Sequence, residues 1–278
     1  MAVKDNLGNR MKDYYESRSQ IKLLRRIPVI IRVDGKSFSH FCKRFQRPHD
    51  KFLHMCLDNT LKYLCKNVQC VKLGQRHSDE MSLLLTDYED TNTEPYFDYK
   101  VQKMCSVVAS MASTEFCKQL ITNMDDVPQD EEGNHLYNAF DTYGEDWPVF
   151  DARCFNLPEF EVSNYFWWRL LDAKRNSINM LAQSLFSHRE LQGKTCNEMQ
   201  EMMFSERGVN WDKIPQEQKS GTLCIKTTVE KPIEEGPKAG EMFSRSVWKL
   251  YPAPKIKEGL NVVVFDALPS KEEKEEKE

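Results

Sequence analysis

Hydrophobic and polar residues follow two periods along the first half of the chain, and these periods predict both helices and strands. Residues 4–19 are rich in charged residues and favour a surface helix, and an apolar run at 29–33, broken only by Arg32, predicts a strand. In residues 50–66 leucines recur at 53, 57, 61 and 64, the spacing of one helical face. The stretch VQCVKLGQRHSDEMSLLL then predicts a strand, a turn and a second strand.

The next third of the chain completes a recognisable element order. Apolar residues at helical spacing predict a helix over 98–120, the acidic residues 122–146 predict a surface loop, and PVFDARCFNL predicts another strand. The order is then a split βαββαβ unit, which forms a mainly antiparallel, ferredoxin-like sheet with helices on one face. The predicted fold class is therefore α+β.

The remaining sequence predicts additions to this core. A long helix is expected over 160–187 and a short one over 196–204, and GTLCIKTTVEK and RSVWKLYP alternate like a two-stranded β appendage. We expect one catalytic domain over 1–265, with the core at about 25–187 and the C-terminal helix and β-hairpin appendage at about 188–265. The charged residues 266–278 are expected to be a disordered tail.

Composition narrows the class of protein. Hydrophobic residues make up 40% of the 278 residues and charged residues 29%, which excludes wholesale disorder. The net charge of −4 leaves RNA binding possible, because basic residues can still cluster on one face. The nine cysteines contain no CxxC pair and indicate a reducing, cytoplasmic protein without a zinc site. No apolar run approaches the length that spans a membrane.

Two acidic positions are candidates for chemistry. Asp34-Gly35 ends the first predicted strand, and Ser78-Asp79-Glu80 lies at the turn between the next two. The simpler interpretation is a turn aspartate and an unrelated polar surface cluster. In the split βαββαβ arrangement, however, Asp34 and Asp79 approach each other, and two carboxylates aimed at one point favour Mg²⁺. The pattern then predicts two-metal phosphoryl or nucleotidyl transfer.

Neighbouring residues fit the same hypothesis. Gly35 lets its backbone approach a metal or phosphate closely, and Lys36, Ser37, Phe38 and Ser39 can offer backbone N–H groups to a triphosphate. Lys100 and Lys103 share one helical face and could hold a second set of phosphates, although they could equally be ordinary solvated lysines.

Several motifs together resemble one known family. VDGKSFSHF, FQRPHD, GQRHSDEMS, FDYKVQK, FDAR and RNSI are similar to the motifs of the tRNA(His) guanylyltransferase family, whose members extend RNA in the 3′-to-5′ direction. The likeness runs from MKDYYE to about residue 251. It implies a core similar to the palm of polymerases and nucleotide cyclases, and it implies a homotetramer.

The resemblance also implies roles for individual residues. Asp34 and Asp79 match the carboxylates that hold two Mg²⁺ ions, Gly35 matches a backbone carbonyl ligand, and Glu80 matches the acidic residue of the Ser-Asp-Glu motif, which we expect to be catalytic. The expected nucleotide-binding residues are Lys36, Ser37, Phe38, Ser39 and Ser78 around the incoming triphosphate, Phe45, Arg47 and Asp50 near the base of the activating nucleotide, Lys100 and Lys103 at triphosphates, and Asn176 on the long helix.

The sequence departs from the family pattern in two places. Guanylyltransferases carry His-Ile-Asn-Asn where this chain has Lys174-Arg175-Asn176-Ser177, and Ser39 replaces a loop histidine. The RNS version resembles the guanylyltransferase-like branch, which implies template-dependent repair of 5′-truncated tRNA, with ATP and GTP as substrates. The alternatives left open are addition of an extra G to tRNA(His), another palm-type enzyme such as a nucleotide cyclase, and a non-catalytic tRNA-binding protein.

Overall fold

The structure, a computed structural model, describes residues 6–131, 135, 147–232 and 242–269. Within these ranges the strands are β1 Val29–Gly35, β2 Val71–His77, β3 Glu80–Leu85, β4 Phe150–Asn156, β5 Thr222–Pro232 and β6 Met242–Pro252. The α-helices are α1 Asn6–Tyr14, α2 Phe38–Phe41, α3 Lys51–Asn67, α4 Val101–Thr122, α5 Glu159–Leu185, α6 His188–Leu191, α7 Cys196–Arg207, α8 Gln216–Ser220 and α9 Lys257–Ala267.

The sheet has the order β4-β1-β3-β2-β5-β6, and every neighbouring pair of strands is antiparallel. Its first four strands have the order expected of a split βαββαβ unit, so the predicted α+β, ferredoxin-like core is confirmed. In this order β1 and β2 flank β3 and run in the same direction. The end of β1 and the turn after β2 therefore lie at one edge of the sheet.

Alternating side chains of the strands form two hydrophobic layers. Val29, Ile31 and Val33 of β1 pack with α3 and α4, whereas Ile30 packs with α5 and α9 on the opposite face. The expectation of helices on one face only was wrong, because the long helix after β4 crosses to the other face of the sheet. Beyond the sheet, the second half of α5 packs with α7 around the buried Trp211.

The C-terminal β-hairpin is part of the main sheet rather than an appendage. Thr222–Ile225 of β5 pair with Leu73–Arg76 of β2, and β6 extends the sheet by one more strand. A side chain at Gly221 would place its Cβ 2.0 Å from the Arg76 carbonyl oxygen, so this close approach of the chains requires glycine.

The predicted strands and long helices begin and end within a few residues of the observed ones. The differences are four helices that the sequence did not predict and the start of the C-terminal tail. The short helices α2, α6 and α8 and the C-terminal α9 were not predicted, and Asp266 and Ala267 end α9 instead of belonging to a tail. Most of the loop predicted for 122–146, and the rest of the tail from residue 270, lie outside the described residues. Among the helices described, none is long and apolar enough to cross a membrane.

Candidate metal and nucleotide site

Two aspartates meet at the edge of the sheet where β1 and β2 end. Burial raises the pKa of Asp34, and the charges of Glu80 and Asp151 raise it further, which outweighs the lowering by Arg153 and Arg32. Burial also raises the pKa of Asp79, with a further contribution from the charge of Asp34, although the Ser78 hydroxyl, which donates to Asp79 Oδ1 at 3.0 Å, acts in the opposite direction. The structure therefore concentrates negative charge at this edge.

The oxygen atoms at this edge of the sheet suit a hard divalent cation as ligands. Repulsion between partly buried carboxylates disfavours their ionised forms, and a cation between them would relieve it. In the described part of the chain, no group of three or more His, Cys, Asp or Glu side chains is arranged to hold a metal ion. A cation here would therefore rely on Asp34, Asp79, the Gly35 carbonyl, water and substrate phosphates, a set of ligands that suits Mg²⁺.

Local backbone geometry explains why Gly35 and two serines stand at this site. A Cβ on Gly35 would lie 2.3 Å from the ring of Phe38, which is buried among aromatic rings. Ser37 and Ser78, at the turns that follow β1 and β2, both have positive φ, 57° and 49°. Such sparsely populated conformations cluster at functional sites.

The predicted triphosphate loop is only partly available to a ligand. The Lys36 amide donates to the Val149 carbonyl at 2.9 Å, so this N–H group is already occupied, and the Phe38 side chain belongs to the core. The first helical bond of α2 is donated by the His40 amide to Ser37. The amides of Ser37, Phe38 and Ser39 precede it and remain able to face a ligand, as do the exposed side chains of Lys36 and Ser39.

The segment predicted to handle the activating base has mostly structural contacts. Phe45 is buried, with its ring 5.4 Å from that of Phe41. Asp50 caps α3, because its carboxylate accepts from the Leu53 amide at 2.8 Å and from the Gln46 amide at 3.0 Å. Of these three predicted residues, Arg47 is the exposed one.

Glu80 is held in a buried ion pair and is not a free carboxylate. Arg169 donates from Nε to Oε1 and from Nη2 to Oε2 of Glu80, each at 2.7 Å. Burial acts to raise the pKa of Glu80, but hydrogen bonding and charge from His77 and the charge of Arg169 outweigh it and lower the pKa. The ion pair therefore holds the Glu80 carboxylate in place, and its catalytic role stays a prediction.

Arg169 is a functional candidate that the sequence analysis missed. It lies on α5, and its Nη2 also donates to Asp172 at 2.9 Å. Arg169, Asp172 and Asn176 recur at helical spacing, so Asn176 lies on the same face, about 10 Å nearer the C-terminal end of α5, and is exposed. The sequence does carry a signal for Arg169, because it is a charged residue between Trp168 and Leu170 on an otherwise apolar helix face.

Residues that replace the guanylyltransferase helix motif contact Trp211. The Ser177 hydroxyl accepts from Trp211 Nε1 at 3.2 Å, and the Lys174 ammonium lies 5.4 Å from the centre of the Trp211 ring. Lys174 and Ser177, two of the four residues that differ from the guanylyltransferase motif, therefore contact Trp211 in the helical region that follows α5.

The structure does not bring Lys100 and Lys103 to the two aspartates. Cys154 Sγ, in the middle of β4, lies 3.9 Å from the Val101 carbonyl at the start of α4, whereas Phe116 packs against Phe38 near Asp34. Val101 and Phe116 are about 22 Å apart along α4, at about 1.5 Å per residue. Both lysines therefore lie toward the opposite end of the sheet within one chain, and Lys103 Nζ lies 4.7 Å from the centre of the Phe97 ring.

Comparisons with known proteins identify the family of this chain. A family model described as tRNAHis guanylyltransferase (Thg1) matches residues 8–158. The tRNA(His) guanylyltransferase of Saccharomyces cerevisiae is 26% identical over 216 residues, which cover 71% of this chain and 82% of the relative.

Two solved structures match nearly the whole chain. Both are of a bacterial tRNA(His) guanylyltransferase (Thg1)-like protein. The complex with ATP has a TM-score of 0.77 and 34% identity, and covers 95% of this chain and 100% of the other. The complex with GTP has a TM-score of 0.73 and 32% identity, with coverage of 95% and 99%. The chain belongs to the tRNA(His) guanylyltransferase family of nucleotidyltransferases, which act on tRNA.

Proposed function

We propose that this protein is a template-dependent nucleotidyltransferase that adds nucleotides to the 5′ end of tRNA in the 3′-to-5′ direction. The observation that carries the proposal is the meeting of Asp34 and Asp79 at one sheet edge, where burial and like charge raise the pKa of each carboxyl group. This is where a substrate hydroxyl and the phosphates of nucleotides and RNA would converge.

The proposed reaction has two steps. A nucleotide, ATP or GTP, first transfers its nucleoside monophosphate to the 5′-monophosphate of the RNA and releases pyrophosphate. The 3′-hydroxyl of the incoming nucleotide then attacks the activated 5′ phosphate, which forms the new phosphodiester bond and releases the nucleoside monophosphate. The added nucleotide keeps its triphosphate at the new 5′ end.

The residues at the sheet edge have separable tasks in this scheme. Asp34, Asp79 and the Gly35 carbonyl would hold Mg²⁺, which supplies charge neutralisation and lowers the pKa of an attacking hydroxyl. Ser78 orients Asp79 through its hydrogen bond, and the Arg169–Glu80 ion pair fixes the first residue of β3 beside it. The loop from Ser37 to Ser39 and the Lys36 side chain would contact triphosphate.

We further propose that Lys100 and Lys103 act at the site of a second copy of this chain. Their position toward the far end of the sheet separates them from Asp34 and Asp79 of the same chain. The homotetramer implied by the family resemblance would allow one subunit to present both lysines to the activating nucleotide of another.

The repair assignment rests on the helix motif. Lys174-Arg175-Asn176-Ser177 replaces His-Ile-Asn-Asn, and identity to the bacterial guanylyltransferase-like protein is 34%, compared with 26% to the yeast guanylyltransferase. The name of the yeast relative favours a second candidate function, the addition of an extra G to tRNA(His).

Single-turnover assays with three RNAs distinguish templated repair of tRNA from the addition of an extra G to tRNA(His). Two are tRNAs that lack the first nucleotide and differ only in the opposing base, C or U, and the third is full-length tRNA(His), on which an added G would be unpaired. We expect G to be added opposite C, A to be added opposite U, and tRNA(His) to be the poorer substrate. More efficient use of tRNA(His), or addition of G opposite both bases, would favour the second candidate.

A further inference from the structure

Two arginines face each other on an open part of the sheet beside Asp34. Arg32 of β1 pairs with Arg153 of β4, and Asp34 pairs with Asp151 in the same register. Because side chains alternate along strands, all four project from one face, the face that α5 covers at Ile30. Asp151 and Arg153 are not covered, with side chains 59% and 48% exposed. Asp151 and Arg153 are therefore accessible from solvent, and Arg32 and Asp34 lie half-buried beside them.

The arrangement leaves hydrogen-bonding capacity unused. The Nε atom of Arg32 is buried and has no hydrogen-bond partner among the described residues. Arg153 Nη2 donates to Asp151 Oδ1, a carboxylate on its own strand, at 2.9 Å. An unpaired buried donor is unfavourable, and so are like charges on directly opposed residues of neighbouring strands.

An anion at this position would resolve both features. A phosphate group can accept hydrogen bonds from two guanidinium groups at once, and the planar fork of arginine matches its geometry. Asp34 and Asp151 repel anions at this position, so the two arginines suit an anion that also contacts the cation held by Asp34. The reacting phosphate of the substrate is such a ligand.

We propose that Arg32 and Arg153 bind the 5′-terminal phosphate of the RNA on the open face of β1 and β4. This inference rests on the proposed function, because it places the phosphate beside Asp34, where the incoming hydroxyl would attack. Asp151 holds the Arg153 side chain along the strand before RNA binds, and the phosphate takes over part of that contact.

Equilibrium binding tests this assignment without any reaction. Anisotropy of a labelled tRNA acceptor-stem hairpin would be measured with Mg²⁺ and without nucleotides, with the RNA carrying either a 5′-monophosphate or a 5′-hydroxyl group. We expect the unmodified protein to prefer the phosphorylated RNA by about tenfold or more, as for a charge-assisted contact. Arg153→Gln should abolish this preference and leave the affinity for 5′-hydroxyl RNA unchanged, and Arg153→Lys should retain part of it.

A matched control and distinct outcomes make the test decisive. Arg189→Gln changes an exposed arginine of α6 and should preserve the preference. The proposal is overturned if the unmodified protein shows no preference for the phosphorylated RNA. It is also overturned if Arg153→Gln lowers the affinity for both RNAs equally, which is the result expected of a contact to the RNA backbone. It is also overturned if the variant keeps the preference and loses affinity for ATP or GTP instead. Failure of the proposed function has another signature, because the unmodified protein would then not add the templated nucleotide to 5′-truncated tRNA, whatever its binding preference is.

Discussion

Arg169 and Glu80 join α5 to the sheet through two hydrogen bonds of 2.7 Å, with Nε bound to Oε1 and Nη2 bound to Oε2. Both residues are buried, and Glu80 directly follows Asp79. The ion pair therefore links the position of a proposed metal carboxylate to the helix that carries Asn176.

Removal of one partner of this pair should destabilise the protein strongly. Arg169→Met leaves Glu80 buried without its cation, which typically costs about 3–5 kcal/mol in the free energy of unfolding. Arg175→Met, which removes an exposed arginine that pairs with Asp172, should cost less than about 1 kcal/mol. Urea denaturation measures both values. Equal stability of the two variants would show that the Arg169–Glu80 pair is not a principal contact.

Asp34→Asn and Asp79→Asn should each abolish nucleotide addition. Loss of either carboxylate breaks the shared cation site, and we expect the rate to fall by at least about a hundredfold, or about 2.7 kcal/mol in activation free energy. Since burial and neighbouring charges disfavour the ionised carboxylates, the melting temperature without Mg²⁺ should hold or rise. Mg²⁺ should raise the melting temperature of the unmodified protein and of an exposed control, Asp266→Asn, but of neither site variant. An active Asp79→Asn variant would place the cation elsewhere.

Gly35→Ala should disturb the end of β1 through Phe38. The new Cβ would lie 2.3 Å from the Phe38 ring, which cannot move freely because Phe116 and Phe150 pack against it. Overpacking of this kind costs about 1–3 kcal/mol. Thermal denaturation should show this loss, and the double variant Gly35→Ala/Phe38→Leu should recover part of it. If the single variant is as stable as the unmodified protein, the loop is more adaptable than the packing indicates.

Lys103→Ala should impair activation more than extension. A lost charge-assisted contact should reduce the rate by about ten- to hundredfold on RNA with a 5′-monophosphate. RNA with a 5′-triphosphate needs no activation and should be extended at nearly the normal rate. Equal defects on both RNAs would assign Lys103 to extension or to the tRNA backbone.

Mixing of variants tests whether Lys103 acts across subunits. Subunits with Asp79→Asn retain Lys103, and subunits with Lys103→Ala retain both carboxylates. Co-assembled mixtures should therefore recover activity on 5′-monophosphate RNA that neither variant has alone. No recovery in verified mixed oligomers would place the lysine in the site of its own chain.

Stability should fall below neutral pH because of His54. Burial, with the charges of Arg76 and His49, lowers the pKa of His54 to about 3, below the value of about 6.5 in the unfolded chain. The unfolded chain then binds the proton more readily, so stability is lost as pH falls through 6.5. At pH 5 this amounts to about 2 kcal/mol. The difference between the urea midpoints at pH 7 and pH 5 should become smaller in His54→Gln but not in the exposed control His188→Gln. Part of the difference should remain, because burial also lowers the pKa of His49, to about 4. An unchanged pH dependence in His54→Gln would contradict the assignment.

The periodicity of the sequence was sufficient to predict the first four strands and the two long helices between them, α3 and α4. Leu53, Leu57, Leu61 and Leu64 did form one buried face of α3, and Asp34 and Asp79 were placed at one sheet edge from element order alone. Local pattern could not show that β5 pairs with β2, since the two strands are separated by about half of the chain. It also could not show that α5 crosses to the opposite face.

Side-chain roles were harder to predict than positions. Phe45 and Asp50 have the right chemistry for a base site, but packing and helix capping occupy them. Glu80 has the right chemistry for catalysis, but Arg169 lies far away in the sequence and its contact has no local signal. Arg32 did leave a signal, a charge within an apolar strand, whose meaning depends on Arg153 of the neighbouring strand.

The pairing of β5 with β2 also bears on biosynthesis. Until residues 222–225 leave the ribosome, the hydrogen-bonding groups along one side of Leu73–Arg76 have no strand to bind. An unpaired strand edge of this kind is a template for association with other chains. The nascent protein thus completes its βαββαβ unit long before it closes this edge, and chaperone binding during synthesis should be concentrated in that interval.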